Sequence, residues 1–159
     1  MSGKIDISGL IELQNKIKAL EQRDSTDFLR KCTFEAASRL LEKVRNYTPT
    51  GVYPSESGKT GGTLKRGWNM QSIKPMEIQK VGSGTVVTVR VINPVKYASY
   101  VEYGHRQKPG RFVPAIGKRL KKSWVEGKFF LTKSEMELES ELPGIIERKL
   151  ERFLTEVLK

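Results

Sequence analysis

The clearest apolar rhythm in the chain runs from Phe28 to Val44. Phe28, Cys32, Ala36, Leu40 and Val44 recur every four residues, flanked by Leu29, Ala37 and Leu41. That is the spacing of a broad buried face on an α-helix. Asp24-Ser25-Thr26-Asp27 offers caps for its start, and Thr48 before Pro49 disfavours its continuation. Upstream, Ser8 would cap an earlier helix whose Leu10, Leu13, Ile17 and Leu20 form a narrower stripe. Helices are thus expected over 8–48. Residues 49–63, rich in Gly, Ser and Pro, are expected to form a flexible loop.

The rhythm then shortens to two, which predicts antiparallel strands over 64–92. Leu64, Trp68 and Met70 share a face of the first, opposite Lys65 and Asn69. Lys74-Pro75 marks a turn, Met76 to Val81 a short second strand, and Gly82-Ser83-Gly84 a hairpin connection. From Thr85 to Ile92, Val87, Val89 and Val91 alternate with Thr88 and Arg90, as in a sheet covered on one face. Asn93-Pro94 ends that strand. A short helix and a basic loop are expected over 97–131. Tyr97 to Tyr103 forms the helical turn, presenting Tyr97, Tyr100 and Val101 and closed by Gly104. Further on, Gly117 to Val125 is compatible with a helix but carries no clean apolar stripe.

Thr132-Lys133-Ser134-Glu135 has capping-box spacing. A C-terminal helix over 132–158 then carries Ile145, Ile146, Leu150, Phe153, Leu154 and Val157 on one side. Pro143-Gly144 predicts a break or kink near 142–144. The order predicts a single α+β domain over 1–159, with N-terminal helices and a long C-terminal helix packed on a small antiparallel sheet with long loops. A length of 159 residues suits one core. The 37% apolar and 30% charged content suits a globular chain. No apolar run approaches the roughly 20 residues of a membrane span, and the start lacks the apolar core of a signal peptide. The expectation is a protein made and used in a cytosol, or packed into a particle assembled there.

Charge sharpens the picture. The chain carries 29 Lys+Arg against 18 Asp+Glu, a formal net charge of +11. Within 104–128 there are eight basic residues and one acidic, among them Arg106, Lys108, Arg111, Lys118, Arg119, Lys121 and Lys122. Such a stretch suits contact with nucleic acid or an acidic protein, and a solvated charged loop fits the same composition.

The candidate chemistry is sparse. One Cys and one His exclude an internal disulfide and leave no zinc or iron–sulfur constellation. Cys32, in mid-face of the helix, is a small core residue and not a nucleophile. Gly58-Lys59-Thr60 suggests a phosphate loop, but six residues separate Gly51 from Gly58 where the signature has four, and a helix precedes it instead of a strand. His105 has Glu102 nearby but no recognisable nucleophile motif. Glu135, Glu137, Glu139 and Glu141 would scatter around a helix, so they make solvated surface and a poor metal cage. No enzyme activity, cofactor or metal is therefore expected. Phe112, Trp124, Phe129 and Phe130 lack the interleaving of a stacking platform, and no zinc finger or RNA-recognition motif is evident. Non-specific nucleic-acid binding through 104–128 stands as the alternative function, weak and salt-sensitive.

Three segments taken together carry a resemblance. They are Thr48-Pro49 with Thr60-Gly61 and Leu64-x-x-x-Trp68; Asn93 with the run from Tyr97 through Val101-Glu102-Tyr103-Gly104-His105-Arg106; and Gly127-Lys128-Phe129-Phe130-Leu131. This pattern is similar to the tail-completion or neck proteins of tailed phages and defective contractile prophages, also described as minor capsid or head–tail joining proteins. Two departures stand out: Val52 to Lys59 lengthens the first loop, and Phe112 to Glu126 is longer and more basic than usual. The resemblance implies a structural protein of a virion or phage-tail-like particle, assembled in the host bacterial cytoplasm. It implies a ring, commonly of six copies, between head connector and tail tube, with at most transient contact with passing DNA and no cofactor or membrane. Within this frame Gly104 is expected to take a positive φ. Tyr97, Tyr100 and Tyr103 would anchor the turn to the sheet, and Trp68 belongs to the core. Glu102 is part of the same structural motif. His105 and Arg106 would bond loop backbone or a neighbour, while Arg111, Lys118, Arg119, Lys121 and Lys122 would meet partners.

Overall fold

The computed structural model describes residues 26–71, 77–81, 84–114 and 117–158. The expected helix after Ser8, the Lys74-Pro75 turn and the Gly82-Ser83 connection lie outside them. The fold is α+β. Helix α1 (Thr26–Tyr47) is followed by a loop containing a 3-10 turn at Ser55–Ser57 and by the short helix α2 (Thr63–Gly67). Strands β1 (Asn69–Gln71), β2 (Glu77–Val81), β3 (Gly84–Thr88) and β4 (Arg90–Ile92) come next, then helix α3 (Ala98–Tyr103). Strands β5 (Gly104–Arg106), β6 (Phe112–Val113), β7 (Lys118–Arg119) and β8 (Trp124–Glu126) precede the long helix α4 (Phe130–Leu158).

Helix α1 is central, touching α4 and also β1, β3 and β4. Its apolar face is buried less evenly than its periodicity suggests. Val44 and Ala37 are buried, whereas Phe28, Cys32, Ala36 and Leu40 are half-buried. Burial is complete at Val44 because Leu64, Trp68 and Phe130 converge there, ringed by Leu41, Val91, Val95, Ala98, Val101 and Leu131. The Trp68 and Phe130 rings meet edge to face at 6.0 Å, a favoured aromatic geometry. Trp68 Nε1 donates to Thr48 Oγ1 at 2.8 Å, so the indole N–H is satisfied inside the core. Asn93 Nδ2 donates to the Leu64 carbonyl at 2.8 Å while its Oδ1 accepts from Val95 N at 3.1 Å, tying the end of β4 to α2. Partial burial pushes the Cys32 thiol above its ordinary value, which lowers its thiolate fraction and suits a packing role.

Four expectations are corrected. Residues 64–67 are helical, not strand. Leu64 and Trp68 are four apart, a spacing that satisfies both a period of two and a helical turn, and both are buried. The strand expected over 85–92 is split at Val89, because β3 pairs with β2 and β4 with β1. Five residues (72–76) separate β1 from β2 while one separates β3 from β4, so a single ladder cannot continue. Gly117 to Val125 holds β7 and β8, not a helix. Helix α4 begins two residues before Thr132 and runs through Pro143 without a break. An interior proline costs about 3 kcal/mol, but Leu138 and Ile145, seven residues apart, are both buried on one side of the helix. That shared burial holds the two halves in line.

Helices α1 and α4 run antiparallel, joined by the Phe28–Phe153 ring contact (5.2 Å) and by ions. Lys43 Nζ lies 2.8 Å from Glu141 and 3.3 Å from Glu137, and Lys149 Nζ 2.7 Å from Glu35. Tyr47 donates to Glu137 at 3.1 Å. Hydrogen bonds from Lys149 and Arg39 hold the Glu35 carboxyl below its ordinary 4.5, and one from Lys43 does the same for Glu141. Glu141 in turn raises Lys43 above its ordinary 10.5. The depressed carboxylates contribute above pH 4.5 and lose that contribution as pH falls through their folded values; the raised lysine contributes below 10.5 and loses it above. Thermal midpoints are therefore expected to plateau between these limits and fall in acid. Glu141→Gln should shrink the acid step, and an acid edge unchanged in that variant would refute the assignment. Each step is small, because these groups are solvent-screened.

Candidate functional site: a cationic β-ribbon

Strands β5 to β8 are two segments of one antiparallel ribbon. β5 pairs with β8 from Gly104↔Glu126 to Arg106↔Trp124, and β6 with β7 as Phe112↔Arg119 and Val113↔Lys118. Between them Gln107 N donates to Ser123 O at 2.9 Å, Gly110 N to Leu120 O at 2.9 Å and Leu120 N to Arg111 O at 2.8 Å. Leu120 therefore faces both Gly110 and Arg111, a bulge of two residues against one. Gly117 N closes the tip onto Pro114 O at 3.2 Å. What composition presents as a long basic loop is a built arm over 104–126.

The root of the arm explains the Val-Glu-Tyr-Gly-His run. Glu102 is 3% exposed, yet its carboxylate is fully used. Oε2 accepts from Leu131 N at 3.0 Å, and Oε1 from Thr132 N at 3.0 Å and Thr132 Oγ1 at 2.8 Å. Glu102 thus caps α4 from a distant helix, satisfying first-turn N–H groups and setting negative charge at the positive end of the helix dipole. The Thr132 box is displaced by this contact, and Ser134, fully buried, turns its hydroxyl to the Phe130 carbonyl instead. Lys128 N donates to Val101 O at 2.9 Å and Phe129 N to Glu102 O at 3.1 Å, with Phe129 held at φ 52. Gly104 takes φ 84 as expected. A Cβ on Gly127 would sit 2.2 Å from the Glu102 carbonyl oxygen, so the two backbones meet only because that side chain is absent.

The three tyrosines do not anchor the turn to the sheet. Tyr97, Tyr100 and Tyr103 are 44%, 58% and 59% exposed, and Ala98, Val101 and Glu102 do the anchoring. His105 is half-buried at the arm's root, its ring edge-on to Tyr100 (5.8 Å) and Nδ1 3.4 Å from the Tyr100 carbonyl. It braces backbone within the chain. Arg106, Arg111, Lys118, Arg119, Lys121 and Lys122 are brought together on the ribbon with Lys108, all exposed. Arg119 spends one guanidinium N–H on Gly110 O at 2.8 Å. No carboxylate of the described residues pairs with any of the seven. An open cleft of about 710 Å³ runs between Arg106, Lys108 and Arg111 over Pro109, Val113 and Leu120. Phe112 and Trp124 add exposed aromatic surface at 51% and 46%.

The ribbon presents a cationic, partly apolar surface. Among the described residues no group of His, Cys, Asp or Glu could hold a metal ion, and no helix is long and apolar enough to cross a membrane. Alternation signals for β5 to β8 are too short to see in sequence. The trans cap by Glu102 leaves no local signal at all, since its partners lie about thirty residues away. No curated protein and no solved structure matches the chain significantly. Residues 11–104, more than half of the chain and ending at the first residue of the arm, match the family described as "Bacteriophage HK97-gp10, putative tail-component", and the chain belongs to this HK97-gp10-like family of phage tail components.

Proposed function

We propose that the protein is a structural subunit of the neck or tail-completion ring, in six copies, joining the tail tube to the head connector. The observation that carries this reading is the arm: seven exposed cations without a carboxylate among the described residues, on a ribbon whose distal strands pair with each other. A surface of this kind is stabilised by complementary charge on a neighbour, which gives orientation and on-rate. Ring closure is the usual outcome of head-to-tail contacts. Acidic protein is the better partner than DNA, because a strongly attractive ring would hold back a genome that has to slide through it.

The test is to replace Arg111, Lys118, Arg119, Lys121 and Lys122 with Ser or Gln and to image particles from cells carrying the substituted gene. A folded monomer with separate heads and unjoined or overlong tails is the expected result. Normally joined particles would sink the reading. If nucleic-acid binding were the main task, the wild type would bind DNA with a log–log salt slope of about −0.9 per phosphate contacted, and the variant would lose that affinity with joining intact.

A further inference from the structure

The arm calls for an acidic surface to meet, and the chain itself carries a fitting one. On α4, Met136, Glu139, Pro143, Ile146 and Leu150 follow one another at spacings of three and four, and all are exposed. They form one outward stripe along the helix. Met136 is 67% exposed, Ile146 43% and Leu150 42%, so with Pro143 the stripe is apolar except at Glu139. Glu139 lies within the stripe and Glu135, Glu147 and Glu151 flank it, all exposed and without an ion pair among the described residues. Glu137 and Glu141, by contrast, turn inward to Lys43.

The arm has the converse make-up. Arg106, Lys108 and Arg111 line the cleft over its apolar floor of Pro109, Val113 and Leu120, and Lys118, Lys121 and Lys122 stand exposed on the returning strand of the same ribbon. The lengths also suit: eleven residues of β-ribbon reach about 35 Å, and the 29 residues of α4 span about 43 Å. The two surfaces lie on one chain, and among the described residues no carboxylate pairs with the arm's cations. We infer that the occupant of the α4 stripe is the arm of a second copy of this chain, each subunit laying its ribbon on the α4 of the next. Arm and stripe are different patches, so the contact is head-to-tail and propagates around a ring without a two-fold axis. Apolar groups meet at the centre and charges at the rim, the usual anatomy of an interface. The inference rests on the reading of the protein as a self-assembling subunit and identifies the surfaces.

Charge exchange tests it. One variant reverses the arm (Lys118→Glu, Lys121→Glu, Lys122→Glu), and another reverses the stripe (Glu135→Lys, Glu139→Lys, Glu147→Lys). All six side chains are exposed and none belongs to the core, so both should retain the wild-type circular dichroism and denaturation midpoint, which are checked first. The full-length wild type at low salt should show concentration-dependent association by light scattering, weakened by salt. Either variant alone should associate about a hundredfold more weakly, since like charges at a contact cost several kcal/mol and 1.4 kcal/mol is tenfold. An equimolar mixture of the two, and a chain carrying all six changes, should recover association, because every arm again meets an opposite stripe. A wild type that stays monomeric at every concentration overturns the inference, as do variants that associate like wild type. A stripe variant that weakens association without rescue by the arm variant assigns α4 to another occupant and overturns it too. Association indifferent to the swap, with particle joining still lost when the arm is neutralised, would remove this contact and leave the neck-subunit reading standing.

Discussion

Trp68→Ala should cost about 3–5 kcal/mol of folding stability, the range for removing a large aromatic from a core. Trp68 is 4% exposed and sits where α1, α2 and α4 converge, against Val44, Leu64 and Phe130. Truncation removes the edge-to-face partner of Phe130 and opens a cavity that three elements would have to collapse to fill. It also leaves Thr48, 3% exposed, without the indole N–H that its hydroxyl accepts. A domain of this size has about 5–15 kcal/mol in total, so the variant would lose a large fraction of its margin. Denaturant midpoints measure the loss. Trp68→Phe should cost about 1–2 kcal/mol, because it keeps most of the apolar volume and forfeits the hydrogen bond. Leu40→Ala, at a half-buried site, should cost less than Trp68→Ala. Equal midpoints for Trp68→Ala and wild type would mean that the core is not centred here. Trp124, the other tryptophan, is 46% exposed, so the buried component of the fluorescence should vanish with Trp68.

Glu102→Ala should destabilise the protein by about 2–4 kcal/mol. A lost helix cap alone costs about 0.5–2 kcal/mol, and buried donors left without an acceptor add about 1–3. Here the carboxylate serves Leu131 N, Thr132 N and the Thr132 hydroxyl at once. Water cannot readily replace it, because the residue is 3% exposed. Glu102→Gln should recover part of the loss, its carbonyl oxygen accepting while its NH₂ faces other donors. Hydrogen exchange locates the effect: the Leu131 and Thr132 amides should lose protection ahead of the centre of α1. Unchanged exchange at those two amides would refute the cap. The consequence also reaches the arm, since the Glu102 carbonyl accepts from Phe129 N and the next residues form the arm's root. Loosening the cap should therefore loosen the base of the ribbon.

The Glu102 contact shows where local reading stops. The sequence named Glu102 as part of a motif, but a carboxylate two residues before a glycine says nothing of which amides it meets. The capping-box spacing at Thr132 pointed to a local cap, and the distant carboxylate displaced it, because a buried side chain that bonds three donors outcompetes a solvent-exposed box. In the same way Leu64 and Trp68 fit a strand as well as a helix, and the converging core at Val44 selected the helix.

The sequence by itself determined α1, the strand character within 76–81 and 85–92, the end of that last strand at Asn93, the positive φ at Gly104, the long C-terminal helix and the α+β class. Each rests on periodicity or on a residue's own conformational limits, which neighbours a few positions away suffice to express. The family resemblance was legible for the same reason, since its motifs sit at tight turns and close backbone approaches. Tertiary structure alone decided the break at Val89, which depends on unequal connections, five residues between β1 and β2 against one between β3 and β4. It decided the continuity of α4 through Pro143, where burial on both sides outweighs one missing hydrogen bond. It also turned a basic stretch of 104–126 into a ribbon, because strands of two or three residues carry no alternation and exist only through their cross-strand hydrogen bonds.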